Sequence, residues 1–393
     1  MRRRPTSQLF PPASPSTTNS GPAGRLPSAS DGLALIKPAV RNQTGYTLAA
    51  PGARRKLNQN ESPFDFPPSL KQEVMDQAAT QAWQRYPAFA PGDLQQAIAA
   101  HYGWVPDGVV VGNGSNELIQ ATLAVSLGTD HVVVAPSPTF SLYRLITGVL
   151  GGRYVPVPLG EDFRYDIDGL IDAARAEEAG VIVLNSPNNP TGSALGPGAV
   201  EQVLARTNAL IVCDEAYQDF GGPTAIPQLA HSSRVIVLRT FSKAFGLAGL
   251  RFGFGLAHPA MAREIAKGKL PYNINLVTLA AARVALRHAA TLTARVHELI
   301  EVRDRFLSAL QDLPGLAVYP TAANFVLMRC LTLTAREVFQ RLHQQHGILV
   351  RDVSGAPELT ECLRISIGTA EDMDAVIAAL REILPAGGRN QGG

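Results

Sequence analysis

Four stretches of this chain carry residue types that could do chemistry, and each follows a short apolar run. The first is Gly112-Asn113-Gly114-Ser115-Asn116-Glu117. Glycines and free backbone N–H groups at a helix start form a cup for an anion. The string is not a phosphate-binding P-loop, because no GK[ST] follows, and Glu117 stands where a dinucleotide fingerprint needs its third glycine. Taken alone, it also reads as a tight turn between a strand and a helix. The second stretch is Asn185-Ser186-Pro187-Asn188-Asn189-Pro190-Thr191-Gly192. Its prolines bracket two asparagines and hold their amides in a fixed geometry, suited to donating a hydrogen bond to a ligand; the plainer reading is a turn-rich loop. In the third, Asp214-Glu215-Ala216-Tyr217, a carboxylate ends an apolar run. Burying it unpaired is costly, so it either caps the next segment or meets a cation. The fourth runs from Arg239 to Arg251 and holds a lone Lys243 among apolar residues and glycines, with Arg251 eight positions on. Lysine is rarely buried without a task. Desolvation and a nearby cation lower its pKa and make the amine nucleophilic. In isolation, a surface lysine in a loop is the plainer reading.

Taken together, the four stretches imply one small molecule. It carries a phosphate for the Gly114 cup, Ser242 and Arg251, a basic ring nitrogen for Asp214 and a carbonyl for Lys243. Pyridoxal phosphate has all three. A carboxylate that keeps its pyridine nitrogen protonated lets the ring act as an electron sink for a carbanion.

These residues need a scaffold that brings loop ends together. Val109–Gly112, His131–Ala135, Val181–Asn185, Ala209–Cys213, Arg234–Arg239 and Phe252–Leu256 are short apolar runs, mostly continuous rather than alternating. Strands buried on both faces look like this. Helix-length segments such as Glu117–Ser126 and Gly198–Thr207 lie between several of them, which predicts a mostly parallel sheet with helices on both faces. In such α/β sheets the chemistry sits beyond the carboxyl ends of the strands. After about residue 290 the pattern changes to a long helix through Leu299 and Arg305, then short strands at Asn324–Arg329, Ile348–Val350 and Cys362–Ile367. This predicts a smaller α+β C-terminal domain. The expected organisation is a tail over residues 1–35, an arm over 36–68 serving the small domain and a dimer, a large cofactor-binding domain over 69–290 and a small domain over 291–386.

The strings SPNNPTG, DEAY and SK followed by GLAGLR, in this order, resemble the class II, fold-type I aminotransferases that depend on pyridoxal phosphate. Further segments are similar to the histidinol-phosphate aminotransferase branch: Leu57–Pro63, Arg85-Tyr86-Pro87, Gly347–Asp352 and Cys362–Thr369. The resemblance spans roughly residues 40 to 385. It implies that Lys243 carries the cofactor as a Schiff base and shuttles the substrate's proton, that Asp214 pairs with the pyridinium nitrogen, and that Asn189 and Tyr217 donate to the ring hydroxyl oxygen. Gly114, Ser115, Asn116, Ser242 and Arg251 are implied to hold the phosphate. Phe140 is implied to stack on the ring, where many relatives carry tyrosine. Tyr86 is implied to reach the cofactor of a dimer partner, and Tyr46, Asn60, Arg351 and Arg364 to face the substrate. The planar fork of Arg364 suits a carboxylate or a phosphate. The implied reaction is transamination of L-histidinol phosphate with 2-oxoglutarate. Aromatic amino acids as donors, threonine-phosphate decarboxylation and a cofactor-sensing regulator are the alternatives.

Composition narrows the rest. The 393 residues are 46% hydrophobic, enough for a large core, and the formal net charge of +2 argues against a nucleic-acid partner. Cys213, Cys330 and Cys362 are far apart and form no CxxC pair, so neither a disulfide framework nor a zinc site is expected, and a reducing cytoplasm fits. No apolar run approaches the ~20 residues of a membrane span. His343 and His346 lack a third ligand, and a solvated helix face is the expectation there. Residues before Asp31 are rich in Pro, Ser, Thr and Gly and free of acids; the expectation is a disordered tail rather than a transit peptide, and no secretory core follows the arginines. Gly387–Gly393 is expected to fray.

Overall fold

The computed structural model of the chain describes residues 30–45, 51–128 and 131–384. Most of the expected tail, the expected fraying end and Tyr46 lie outside the described residues. The end of the tail is helical at Ser30–Ala34, and a second short helix follows at Pro38–Arg41. These belong to a unit ending at Asn42, separate from the unit formed by the remainder.

The larger unit is built on a seven-stranded sheet in the order Val109–Gly112, Gly253–Ala257, Val235–Thr240, Leu210–Asp214, Val181–Asn185, Val132–Ser137, Arg153–Pro158. Gly253–Ala257 runs antiparallel to both neighbours, and the pairings from Val235–Thr240 out to Arg153–Pro158 are parallel. The fold is therefore α/β with a mostly parallel central sheet. Successive residues alternate between two apolar cores: Val109, Val111, Ile182, Leu184, Ile211, Val235 and Val237 face one, and Val110, Val181, Val183, Val212, Ile236 and Leu238 the other. Both faces are covered, which is why these strands read as unbroken apolar runs. The edge strand Arg153–Pro158 carries two prolines and did not stand out from the sequence; an edge is where a sheet tolerates residues that cannot donate to the ladder.

A second core gathers around a four-stranded antiparallel sheet in the order Arg351–Asp352, Cys362–Ser366, Phe325–Cys330, Leu316–Val318. The helix Ala289–Gln311 serves both cores: Ala289 and Leu292 pack into the first, and Val296, Leu299, Val302, Phe306 and Leu310 into the second. The arm joins this second region where Arg55–Lys56 pairs parallel to Ile348–Leu349. Among the described residues no helix is long and apolar enough to cross a membrane.

Candidate active site

The parallel strands deliver their C-terminal ends to one edge of the large sheet. Asn185 ends one strand, Asp214 the next and Thr240 the third, with Asn185 in register with Asp214. The antiparallel strand starts at the same edge, because Gly253 pairs with both Gly112 and Thr240. This inversion places Arg251 beside the loop after Gly112 and beside Ser242.

The anion cup forms there. Helix Ser115–Ser126 begins after Gly114, whose φ of 83° favours glycine, and among the described residues no side chain caps it, which leaves its first-turn N–H groups available to an anion. A Cβ on Gly114 would lie 2.5 Å from the Arg251 guanidinium, and one on Gly253 would lie 2.4 Å from the Ser115 nitrogen. Only glycine lets these segments approach so closely. Arg251 donates to Ser242 Oγ at 3.2 Å and to the Ala248 carbonyl at 2.9 Å. Ser115 and Ser242 are buried, whereas Asn116 in the first turn is exposed.

Asp214 is 3% exposed. Tyr143 donates to its Oδ2 at 2.6 Å and the Ala216 N–H to its Oδ1 at 3.1 Å. Among the described residues no ion pair reaches it. Burial holds its carboxyl above the usual range, against the two donors. Asn185 Nδ2 fixes the Asp214 carbonyl at 3.1 Å, and Asn185 Oδ1 accepts from the Asn189 N–H at 3.0 Å. The neighbouring Glu215 and Arg239 form a buried ion pair at 2.8 Å that ties together the ends of the strand carrying Asp214 and the strand that leads into Lys243. Removing one partner of such a pair costs about 3–5 kcal/mol, since the other charge stays buried.

Lys243 is half-buried, with its amine enclosed, and Nζ donates to the Gln59 carbonyl at 3.0 Å. Desolvation, and secondarily the charge of Arg364, push it down to about 7, with Glu61 opposing. Tyr217 lies below it, its ring centroid 5.6 Å from Nζ. Phe140 is partly buried and meets Tyr143 edge-to-face at 5.7 Å.

The small sheet supplies the arginines. Arg364 is 8% exposed; it donates to Asn189 Oδ1 and to the Asn58 carbonyl, the latter at 2.8 Å. Arg351 lies directly opposite Arg364 across the strand pair. Asn60, expected to face the substrate, has its polar groups turned to Ser366, Asn324 and Tyr217. Tyr86 is 80% exposed and stacks on Tyr272 at 4.5 Å. Sequence reasoning assigned no role to Tyr143, Gln59, Asn185, Asn324 or Ser366. Tyr143 is three residues beyond Phe140 near the start of a helix, and only the packing distinguishes it from an ordinary core tyrosine.

The edge thus offers an anion cup, a carboxylate buried with no ion-pair partner among the described residues, and an amine whose proton affinity is lowered to about 7, a set of groups that fits a phosphorylated pyridine aldehyde. Comparison with known proteins agrees with that chemistry. Residues 55–380 match the family model described as aminotransferase class I and II. The chain is 35% identical over 351 residues to the histidinol-phosphate aminotransferase of Chlorobaculum tepidum, covering 89% of this chain and 100% of that protein. It is 36% identical to the protein of the same name from Prosthecochloris aestuarii, covering 90% and 99%. Among solved structures, histidinol-phosphate aminotransferase from Sinorhizobium meliloti in complex with pyridoxal-5'-phosphate superposes with a TM-score of 0.80 at 29% identity, covering 89% of this chain and 97% of that one. The chain belongs to the aminotransferase class I and II family.

Proposed function

We propose that this protein is a pyridoxal-phosphate-dependent transaminase that converts L-histidinol phosphate and 2-oxoglutarate to imidazole acetol phosphate and L-glutamate, a step of L-histidine biosynthesis. The observation that carries the substrate assignment is the register of Arg351 against Arg364. Like charges directly opposite on neighbouring strands repel, so the pair is arranged for an anion. Histidinol phosphate has a phosphate ester where an amino acid has its α-carboxylate. A phosphate dianion uses two guanidinium forks, whereas a carboxylate needs one.

The residues divide the work. The Ser115 helix terminus, Ser242 and Arg251 hold the cofactor's phosphate, with Gly114 shaping the cup and Asn116 at its rim. Asp214 would hold the proton on the cofactor's ring nitrogen. Asn189 and Tyr217 would hold the ring oxygen, and Phe140 would stack on the ring. Pyridoxal phosphate, when bound, supplies an electron sink for the electrons of a broken Cα–H bond. Lys243 Nζ, pushed down to about 7, would hold the cofactor through its carbonyl and would be the base that takes the proton from the substrate's α-carbon. Arg364 and Arg351 hold the substrate anion, with Tyr46 as a further donor. The exposed aromatics Trp83, Tyr86, Phe89 and Tyr272 support a homodimer in which Tyr86 turns to the partner's cofactor phosphate. Three free, buried cysteines fit a cytoplasmic protein. In this reading the arm before residue 69 serves the small domain and the dimer, and the large domain gives way to the small one near residue 290.

A panel of histidinol phosphate, phenylalanine, tyrosine, aspartate and threonine phosphate, each with 2-oxoglutarate, tests the assignment. Histidinol phosphate is expected to give the highest kcat/KM. Arg351→Ala should cut its kcat/KM by about tenfold or more while leaving the glutamate half-reaction less affected. Preference for phenylalanine in the unmodified protein, or unchanged histidinol phosphate turnover in the variant, would overturn it.

A further inference from the structure

Three successive residues of the arm each touch a different functional side chain. The Asn58 carbonyl accepts from Arg364 at 2.8 Å, the Gln59 carbonyl accepts from Lys243 Nζ at 3.0 Å, and Asn60 Nδ2 donates to the Tyr217 hydroxyl oxygen at 3.1 Å. Asn60 is the most constrained of the three. It is fully buried, with φ at 55°, a left-handed conformation that asparagine tolerates better than most residues. Its N–H donates to Ser366 Oγ at 2.7 Å, its carbonyl accepts from Asn324 Nδ2 at 3.1 Å, and its Oδ1 lies 3.0 Å from Ser366 Oγ.

The polarity of this network follows from counting donors. Ser366 Oγ accepts from the Asn60 N–H, so its single proton is available to Asn60 Oδ1. That fixes the amide with its NH₂ toward Tyr217, whose oxygen accepts. Tyr217 is therefore an acceptor toward Asn60, and its own proton is directed elsewhere than Asn60. Ser366 lies two residues beyond Arg364 on the same strand and hence on the same face.

We propose that Asn60 is a positioning residue that sets the direction of the Tyr217 hydroxyl proton, so that Tyr217 is a donor toward the cofactor's ring oxygen, and that Ser366 enforces this by fixing the Asn60 amide. The inference rests on the cofactor reading above. It gives the arm, besides its pairing with Ile348–Leu349, the role of orienting a catalytic group through a hydrogen-bond chain that starts on the strand carrying Arg364.

The test replaces donor by acceptor at constant shape. In Asn60→Asp, Tyr217 must donate to the new carboxylate and turn its proton away from the site. A donor to the ring oxygen stabilises its anionic form, so losing it raises the pH midpoint of the bound cofactor's visible absorbance change. We expect Asn60→Asp and Tyr217→Phe each to raise that midpoint by about one unit, and the double variant to show no further rise. Asn60→Gly, which suits the left-handed backbone, removes the donor without inverting the bond and should move the midpoint in the same direction by less. Melting of the apoproteins reports folding separately. If the unmodified protein develops no visible band with pyridoxal phosphate, the cofactor reading and this inference fall together. A band that does not move in Asn60→Asp overturns this inference alone, as does a glycine variant that shifts as far as the aspartate variant, because a merely structural role predicts that equality.

Discussion

Tyr143→Phe isolates the environment of the buried carboxylate. The substitution keeps the ring, which is fully buried, and removes only the hydroxyl that donates to Asp214 Oδ2 at 2.6 Å. A hydrogen bond to a charged acceptor is worth about 1.5–3 kcal/mol and one to a neutral acceptor about 0.5–1.5, so the ionised carboxylate loses about 1–1.5 kcal/mol more than the protonated acid. That difference corresponds to about one further unit of upward shift for Asp214. Burial already raises this group above its ordinary 3.8, and the Tyr143 bond works against that rise. An acid raised in the folded state contributes stability that is complete below its unfolded value and is lost as pH climbs through its folded value. In the variant the loss continues about one unit further up. The stability gap between the two apoproteins should therefore widen by about 1–1.5 kcal/mol from acid to neutral pH. Urea denaturation of both apoproteins across that range measures the gap directly, with the m-values checking that the unfolding transition is the same. A gap that stays constant with pH would refute the reasoning, since it would mean that Tyr143 stabilises the fold without sensing the charge on Asp214.

Two further outcomes follow from the geometry. Because Lys243 is pushed down to about 7, chiefly by desolvation, its neutral fraction grows as pH rises through that value; stopped-flow capture of pyridoxal phosphate by the apoprotein should accelerate through pH 7 and level off above it, and Lys243→Ala should abolish the capture signal. In Gly253→Ala the new Cβ would lie 2.4 Å from the Ser115 backbone nitrogen, with no flexible side chain to yield, so equilibrium titration of the apoprotein should show cofactor affinity falling by about tenfold or more if the cup is displaced as a unit.

The division between sequence and tertiary structure follows the range of the interactions. Continuous apolar runs such as Val181–Asn185 and Leu210–Asp214 marked the buried strands, because a strand covered on both faces has no polar side to show. Since open α/β sheets place their chemistry beyond the carboxyl ends of such strands, the same runs located Asn189, Asp214 and Lys243. The reversed direction of Gly253–Ala257 was not legible, although it is what puts Arg251 beside both Ser242 and Gly114. Strand direction is set by pairing partners rather than by the residues of the strand. The pairing of Arg351 with Arg364 is a matter of register between segments that a loop separates in the chain. Tyr143 on Asp214, Asn60 on Tyr217 and the Gln59 carbonyl on Lys243 join residues 71, 157 and 184 positions apart. The sequence determined which groups could do the chemistry, because that depends on residue type and local spacing. Only the folded chain decided what each group touches, how far its proton affinity moves and which way its hydrogen bonds run, because those depend on burial and on neighbours that the chain brings in from far away.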